Sequence, residues 1–286
     1  MLQLSNILID GVVYGMVLFV ISVGLSVTMG LMRFINLAHG AFAMAGGYMA
    51  AWLIRVEAFP FFGGVVLAII GTMLLAAVLE TFVFRFLYAK SELQQVLFTI
   101  GFTFAAIALA SFFAGAYIQQ IPLPAWLHGS VTVGERTLPA QRVMVVVLGL
   151  AVVLLLWLII ARTRFGIWLR ASVDNAPMSS SLGINIRLVQ CATFAFGAGL
   201  AALGGVLGAE LMPLEPYYPL KYLVLMLVVV SVGGMGSVSG TLCAALLLGI
   251  VDTASKYLAS GFGDFFFYAA MILLLAIRPN GILRRR

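Results

Sequence analysis

Charge is scarce in this sequence: only 9% of its 286 residues are Asp, Glu, Lys or Arg, while 63% are hydrophobic. A water-soluble domain of this length carries roughly a quarter charged residues to cover its surface, so that class is excluded. Cysteine is nearly absent. Cys191 and Cys243 both fall inside apolar stretches, with no CxxC spacing and no neighbouring His, which removes a disulfide framework and a thiolate metal site together. No Lys or Arg precedes Arg33, so the basic n-region of a cleaved secretory signal is missing and the first apolar segment is expected to be retained. Paired carboxylates, a Ser/His/Asp system and zinc-ligand spacings are missing too. His39 and His128 are expected at different depths, and no catalysis is expected of this chain.

What is present is a series of long apolar runs, with a mean hydropathy of +1.15. Lipid offers no hydrogen-bond partners, so a spanning segment must be a helix of about 20 apolar residues or part of a closed barrel. The continuous runs exclude the barrel. They predict an all-α, polytopic transmembrane bundle, one membrane domain over 1–286. Helices are expected near 7–32, 36–54, 61–84, 95–116, 142–161, 188–209, 217–232, 238–257 and 264–278. Nine spans is the working count and eight the alternative.

The balance of 16 Lys+Arg against 10 Asp+Glu reads as membrane orientation and not as nucleic-acid binding, because Arg162, Arg164, Arg170 and the Arg284, Arg285, Arg286 tail flank apolar segments. The 162–187 loop, the Arg85–Lys90 turn and the tail should share the cytoplasmic side. That requires two crossings in 217–257, interrupted near Gly233–Gly240, and puts the amino terminus outside and the carboxyl terminus in the cytoplasm. The loops 117–141 and 210–220 are then external, with Trp126, Tyr217 and Tyr218 suited to an interfacial belt. Among the 30 glycines, Gly197, Gly199, Gly204, Gly205 and Gly208 are spaced for close helix approach. Gly24–Met49 and Val229–Val251 each combine a helix, a Gly-bearing break and a small-residue helix, a pattern compatible with an internal repeat.

Three polar segments interrupt the apolar pattern. The first, Arg33 to Gly40, is either a loop or a helix starting partway into the membrane, whose free N–H groups could face an anionic or carboxylate-bearing solute. Asn36 and His39, three residues apart, would share a helical face; they could equally cap a helix or bind a neighbouring one. The second, Gly233-Gly234-Met235-Gly236-Ser237-Val238-Ser239-Gly240, is tolerated at depth only when buried in protein or lining a cavity. It lacks the Gly-Lys-Ser/Thr ending of a phosphate loop, so no nucleotide site is expected. In the third, Asp174 or Asn175 supplies an N-cap, Pro177 the first turn and Gly183 a C′ stop, delimiting a helix of about two turns. It is too short to span and reads as a rigid docking knob or a surface loop helix. Glu80, Asp10 and Asp252 are expected near helix ends, within reach of water or a basic partner.

Together these segments resemble the membrane permease subunits of branched-chain amino acid ABC importers, the LivH-type family, over nearly the whole chain. The resemblance rests on Gly24-Leu25 with Gly30 and Ile35-Asn36-Leu37-Ala38-His39-Gly40, on Arg164-Phe165-Gly166 with Arg170-Ala171 and Leu182-Gly183-Ile184-Asn185, and on Gly233-Gly234-Met235-Gly236-Ser237 with Gly240. It implies a bacterial inner-membrane permease that pairs with a second related permease subunit, two cytoplasmic ATPase subunits and a periplasmic or extracellular substrate-binding protein. No cofactor would be bound by this chain, with ATP-Mg on the ATPase partners. Asn36, His39, Gly40, Gly233, Gly234, Gly236 and Ser237 would line or hinge the pathway. Residues 174–183 would form the coupling helix, with Arg170, Asp174, Asn175, Pro177, Leu182 and Gly183 at the ATPase contact. Ser179, Ser180 and Ser181 depart from the Ala or Leu often found there and make it more polar. A self-sufficient secondary transporter or channel is the competing reading.

Overall fold

In a bilayer the backbone must satisfy itself locally, and the computed structural model shows that outcome. It describes residues 2–32, 34–133, 136–258, 261, 263–277 and 281–282; Arg33 and the Arg284–Arg286 tail lie outside the described residues. The helices are α1 (Leu2–Met32), α2 (His39–Arg55), α3 (Phe61–Phe82), α4 (Glu92–Ala114), α5 (Ala140–Arg162), α6 (Arg164–Asp174), α7 (Ala176–Ser181), α8 (Ile186–Gly208), α9 (Tyr218–Gly233), α10 (Val238–Leu258) and α11 (Gly263–Ile277). The chain is a polytopic helical membrane protein. Six helices (α1, α3, α4, α5, α8 and α10) are long and apolar enough to cross a membrane, and α9 and α11 are shorter apolar helices. These two shorter helices stand where spans are expected near 217–232 and 264–278. The ninth expected span, α2, has 17 residues, of which ten are buried. At 1.5 Å per residue it is about 25 Å long, a little longer than α9 with 16 residues and α11 with 15, so length does not set it apart from them. It is held inside the bundle.

The expected external loop 117–141 is more ordered than its prolines suggested. Ala125–His128 makes a 3-10 turn, and β1 (Ser130–Val133) pairs antiparallel with β2 (Arg136–Pro139), Val131 opposite Leu138 and Thr132 opposite Thr137. The β-branched run Val131-Thr132-Val133 favours this pairing.

Packing is organised around α1 and α8. Glycine lets α1 lie antiparallel against α10: a Cβ on Gly11 would sit 2.7 Å from Ile250 Cα and one on Gly15 2.9 Å from the Ala245 carbonyl oxygen. All five glycines noted on α8 do the same work. A Cβ on Gly204 would meet Ile21 of α1, on Gly205 the Ala43 carbonyl of α2, and on Gly199 the Met73 side chain of α3. Without a hydrophobic drive between helices in lipid, such close contact supplies the dispersion energy of the bundle. The intramembrane carboxylates are paired, not free. Asp10 meets Arg142 and accepts from the Tyr257 hydroxyl at 2.8 Å, Asp252 meets Lys256 at 2.7 Å, and Glu80 meets Arg85 at 3.4 Å. Water does not reach Glu80, whose side chain is fully buried.

Candidate functional site

The first break is sealed. Asn36 precedes α2, so it does not share a helical face with His39; its Oδ1 accepts from the Ala38 N–H at 3.1 Å, a local turn that starts the helix. His39 opens α2, and its Nε2 lies 3.1 Å from the Ile21 carbonyl of α1. Both side chains are 1% exposed. His39 thereby binds a neighbouring helix, one of the roles open to it from sequence, while α2 has no side-chain cap and Asn36 serves the turn before it. Gly40 brings α2 against α9, where a Cβ would lie 2.9 Å from Pro219 Cα. Phe34 is buried beside this break, edge-on to Tyr88 at 5.2 Å and to Phe84 at 6.0 Å.

The second break is also backbone packed on backbone. Gly234 and Gly236 have φ of +90° and +80°, a region that residues with a Cβ enter at a cost. This conformation turns the Gly236 N–H onto α1, where it meets the Ser26 carbonyl at 3.1 Å and the Ser26 hydroxyl at 3.2 Å. Ser237 caps α10, accepting from the Gly240 N–H at 3.1 Å. A Cβ on Gly240 would fall 1.9 Å from the Gly233 carbonyl oxygen, so the two helices meet without side chains between them. Gly281 lies under the turn against Gly234, and the Ile282 N–H donates to the Val232 carbonyl at 2.7 Å. The structure therefore does not join the two breaks directly. It hangs both on α1, the first at Ile21 and the second at Ser26, just over one turn apart.

Between α5 and α8 the chain builds a corner and a knob. Thr163 caps α6 through the Gly166 N–H at 3.3 Å, and Arg170 turns inward to donate to the Ile160 carbonyl at the end of α5. Arg170 is a strut for that corner. Asp174 closes α6, and the cap of α7 is Asn175, whose Oδ1 accepts from the Met178 N–H at 3.0 Å. Pro177 occupies the first turn of α7. At the far end Gly183, with φ +88°, donates to the Ser180 carbonyl at 3.0 Å while the Ile184 N–H reaches Ser179 at 3.1 Å. This pair of bonds is the Schellman stop. The six residues of α7 and the Leu182 that follows them, locked at both ends, leave Met178 and Leu182 59% and 73% exposed.

Two positioning residues were not anticipated. Ser26 is the α1 group that receives the second break, and Gln95 of α4 ties the first break to the α3–α4 turn. Gln95 accepts from the Ile35 N–H at 3.1 Å and donates to the carbonyls of Leu87 and Lys90, both at 3.2 Å. A polar residue inside an apolar run was the signal available for Ser26, whereas Gln95 stands with Ser91, Glu92 and Gln94 at the polar start of α4 and carried no such signal. Gln95→Leu is expected to lower stability by about 2–4 kcal/mol, since three backbone groups lose their partner in a mostly buried place. Thermal unfolding in detergent measures it, and an unchanged midpoint would show that the tie contributes nothing.

Comparison with known proteins places this geometry. Residues 7–275 match the family model described as the permease component of branched-chain amino acid transport systems. The high-affinity branched-chain amino acid transport system permease protein LivH of Escherichia coli K12 is 27% identical, covering 96% of this chain and 94% of its own length. BraD, the corresponding permease protein of Pseudomonas aeruginosa, is 28% identical over 97% and 95%. The ribose import permease protein RbsC of Haemophilus influenzae is 27% identical over 64% of this chain and 52% of its own.

Proposed function

Because the chain belongs to the permease-component family of branched-chain amino acid transport systems, we propose that it forms one side of the path by which an ATP-binding-cassette importer admits branched-chain amino acids or related small polar solutes. The members it resembles are transport subunits and not enzymes. In this reading the whole chain acts as one permease domain of a bacterial inner membrane, with the carboxyl terminus in the cytoplasm and the amino terminus outside. A second related permease subunit completes the path, two cytoplasmic ATPase subunits bind and hydrolyse ATP-Mg, and a soluble binding protein delivers solute. α7 is the coupling helix.

The observation that carries this reading is the knob itself. A six-residue helix cannot hold its shape alone in water, yet α7 has both ends capped and two large apolar side chains turned outward. Exposed Met and Leu on a fixed support suit an apolar cleft on a partner. The breaks suit a hinge, since Gly234 and Gly236 permit backbone rotation at the α9–α10 junction.

Mild-detergent purification followed by mass spectrometry of the co-purifying chains tests the assembly, with ATP-driven uptake of leucine into proteoliposomes as the functional readout. An ATPase chain and a second permease are expected, and the purified chain alone should pump nothing. Flux driven by an ion gradient through the lone chain would instead establish a secondary transporter.

A further inference from the structure

The apolar run of α5 closes at Arg162, and α6 starts two residues later. Instead of projecting from that end, α6 folds back across it. The Thr163 hydroxyl donates to the Ile159 carbonyl at 2.6 Å, and Arg170 donates to the Ile160 carbonyl. Gly166 permits the crossing, since a Cβ there would fall 2.2 Å from the Ile160 carbonyl oxygen and 2.7 Å from that of Ile159. Residues 166–170 are thereby held level with the last turn of the span, the boundary between acyl chains and headgroups. The two faces of α6 then meet different surroundings. Gly166 and Leu169 are buried, and α6 touches α5, α8 and α1. Ile167 and Trp168 lie on the other face, 57% and 43% exposed, with Arg164 exposed on the same stripe at helical spacing. On α5, Leu154 is followed three and four residues later by Trp157 and Leu158, all about half exposed, and the Arg162 guanidinium stands 5.1 Å over the Trp157 ring. Two Arg–Trp pairs therefore bracket the end of the span. Among the described residues neither Arg162 nor Arg164 meets a carboxylate.

The geometry points to α6 as an in-plane helix docked on anionic phospholipid, with Ile167 and Trp168 among the upper acyl chains and Arg162 and Arg164 on lipid phosphates. Trp settles at headgroup depth, and Arg keeps its stem in apolar surroundings while its head reaches outward. Guanidinium and phosphate pair through parallel, charge-assisted hydrogen bonds. Charge complementarity extends along the segment: from 157 to 188 the chain carries Arg162, Arg164, Arg170 and Arg187 against Asp174 alone. An ATPase is the other candidate occupant of this face, and depth decides against it. The face is level with the end of α5, whereas the docking knob follows the extended residue Asn175. Asn175 is at once the C-cap of α6 and the N-cap of α7, with no linker between them. The leaflet's hold on α6 therefore also fixes the seat of the knob, and anionic lipid regulates coupling. The lipid contact stands on α6 alone; its consequence for transport rests on the importer reading.

Quenching of tryptophan fluorescence by brominated lipid tests the docking. The full chain carrying Trp52→Phe, Trp126→Phe and Trp157→Phe keeps Trp168 as its only tryptophan. The three replaced side chains are about half exposed, so the bundle should tolerate the changes, and Phe at 157 still offers Arg162 a ring. The probes are phosphatidylglycerol and phosphatidylcholine, brominated high on the acyl chain and compared at equal mole fraction in mixed bilayers. Trp168 should be quenched by both. The anionic lipid should be preferred, by about fivefold for each of the two arginines. Arg162→Gln with Arg164→Gln should abolish the preference and leave the quenching by phosphatidylcholine. In proteoliposomes, ATP-driven leucine uptake by the assembled wild-type transporter should rise as phosphatidylglycerol is added, and the double variant should not respond.

Trp168 unquenched by either lipid overturns the docking. So does quenching that disappears when the ATPase binds, which would give this face to the partner protein. Equal quenching by the two lipids overturns the phosphate contacts. Uptake indifferent to phosphatidylglycerol, with the lipid preference intact, overturns the link to the knob. No ATP-driven uptake by the wild-type complex in any lipid, with Trp168 still quenched preferentially by phosphatidylglycerol, removes the importer reading and leaves the docking of α6 in place.

Discussion

The double variant Met178→Asp, Leu182→Asp is expected to insert and pack normally yet to lose at least nine-tenths of ATP-driven uptake. Both side chains are mostly exposed and help to bury nothing within the chain, so truncating or charging them costs the bundle little. In an apolar cleft of an ATPase partner each carboxylate would have to shed water without gaining a counter-charge. Central apolar contacts of that kind contribute about 2 kcal/mol or more apiece, and 1.4 kcal/mol is already tenfold in affinity. Co-purification of the ATPase should fall in step with uptake, while the thermal midpoint of the permease stays where it was. Retention of both uptake and ATPase capture would sink the coupling assignment for α7.

Gly30→Val should fail at the earlier step of folding. A Cβ there lies 2.1 Å from the Gly236 nitrogen and 2.2 Å from its Cα, so backbone must move, and α1 loses its seat for the second break. Gly236→Val adds a second penalty, about 1–2 kcal/mol for an L side chain in the left-handed region. The cost in either case is expected to exceed about 3 kcal/mol, a large part of the stability of a folded domain. Gly101→Val is the control, because a Cβ on that α4 residue meets nothing within 4 Å. Size-exclusion profiles and thermal unfolding in detergent should show folded Gly101→Val and little or no folded Gly30→Val. A Gly30→Val protein as stable as the wild type would mean that the α1 contact with the second break is dispensable.

Much of the architecture was legible from local pattern alone. Apolar runs mark the spans because hydrocarbon forces each backbone to satisfy itself within its own segment. Caps are equally local: Asn175, Pro177 and Gly183 announce the knob since their chemistry acts over one turn. Legibility failed where a residue's partner is distant in sequence. From spacing alone Asn36 and His39 could face solute, cap a helix or bind a neighbouring one, and only the structure places Asn36 in a turn and His39 against a carbonyl 18 residues away. The bond from Arg170 to the Ile160 carbonyl, which ties α5 to α6, was likewise beyond local pattern.

By itself the sequence determined the solvent this protein needs, the helices that solvent imposes, the interruptions between them and the short capped element outside it, because each follows from interactions within a few residues. The tertiary structure alone decided that α2 is enclosed within the bundle and that α1 carries both breaks through Ile21 and Ser26. Those outcomes depend on contacts between segments tens to hundreds of residues apart. No local periodicity encodes them, and only close packing of whole helices brings such groups together.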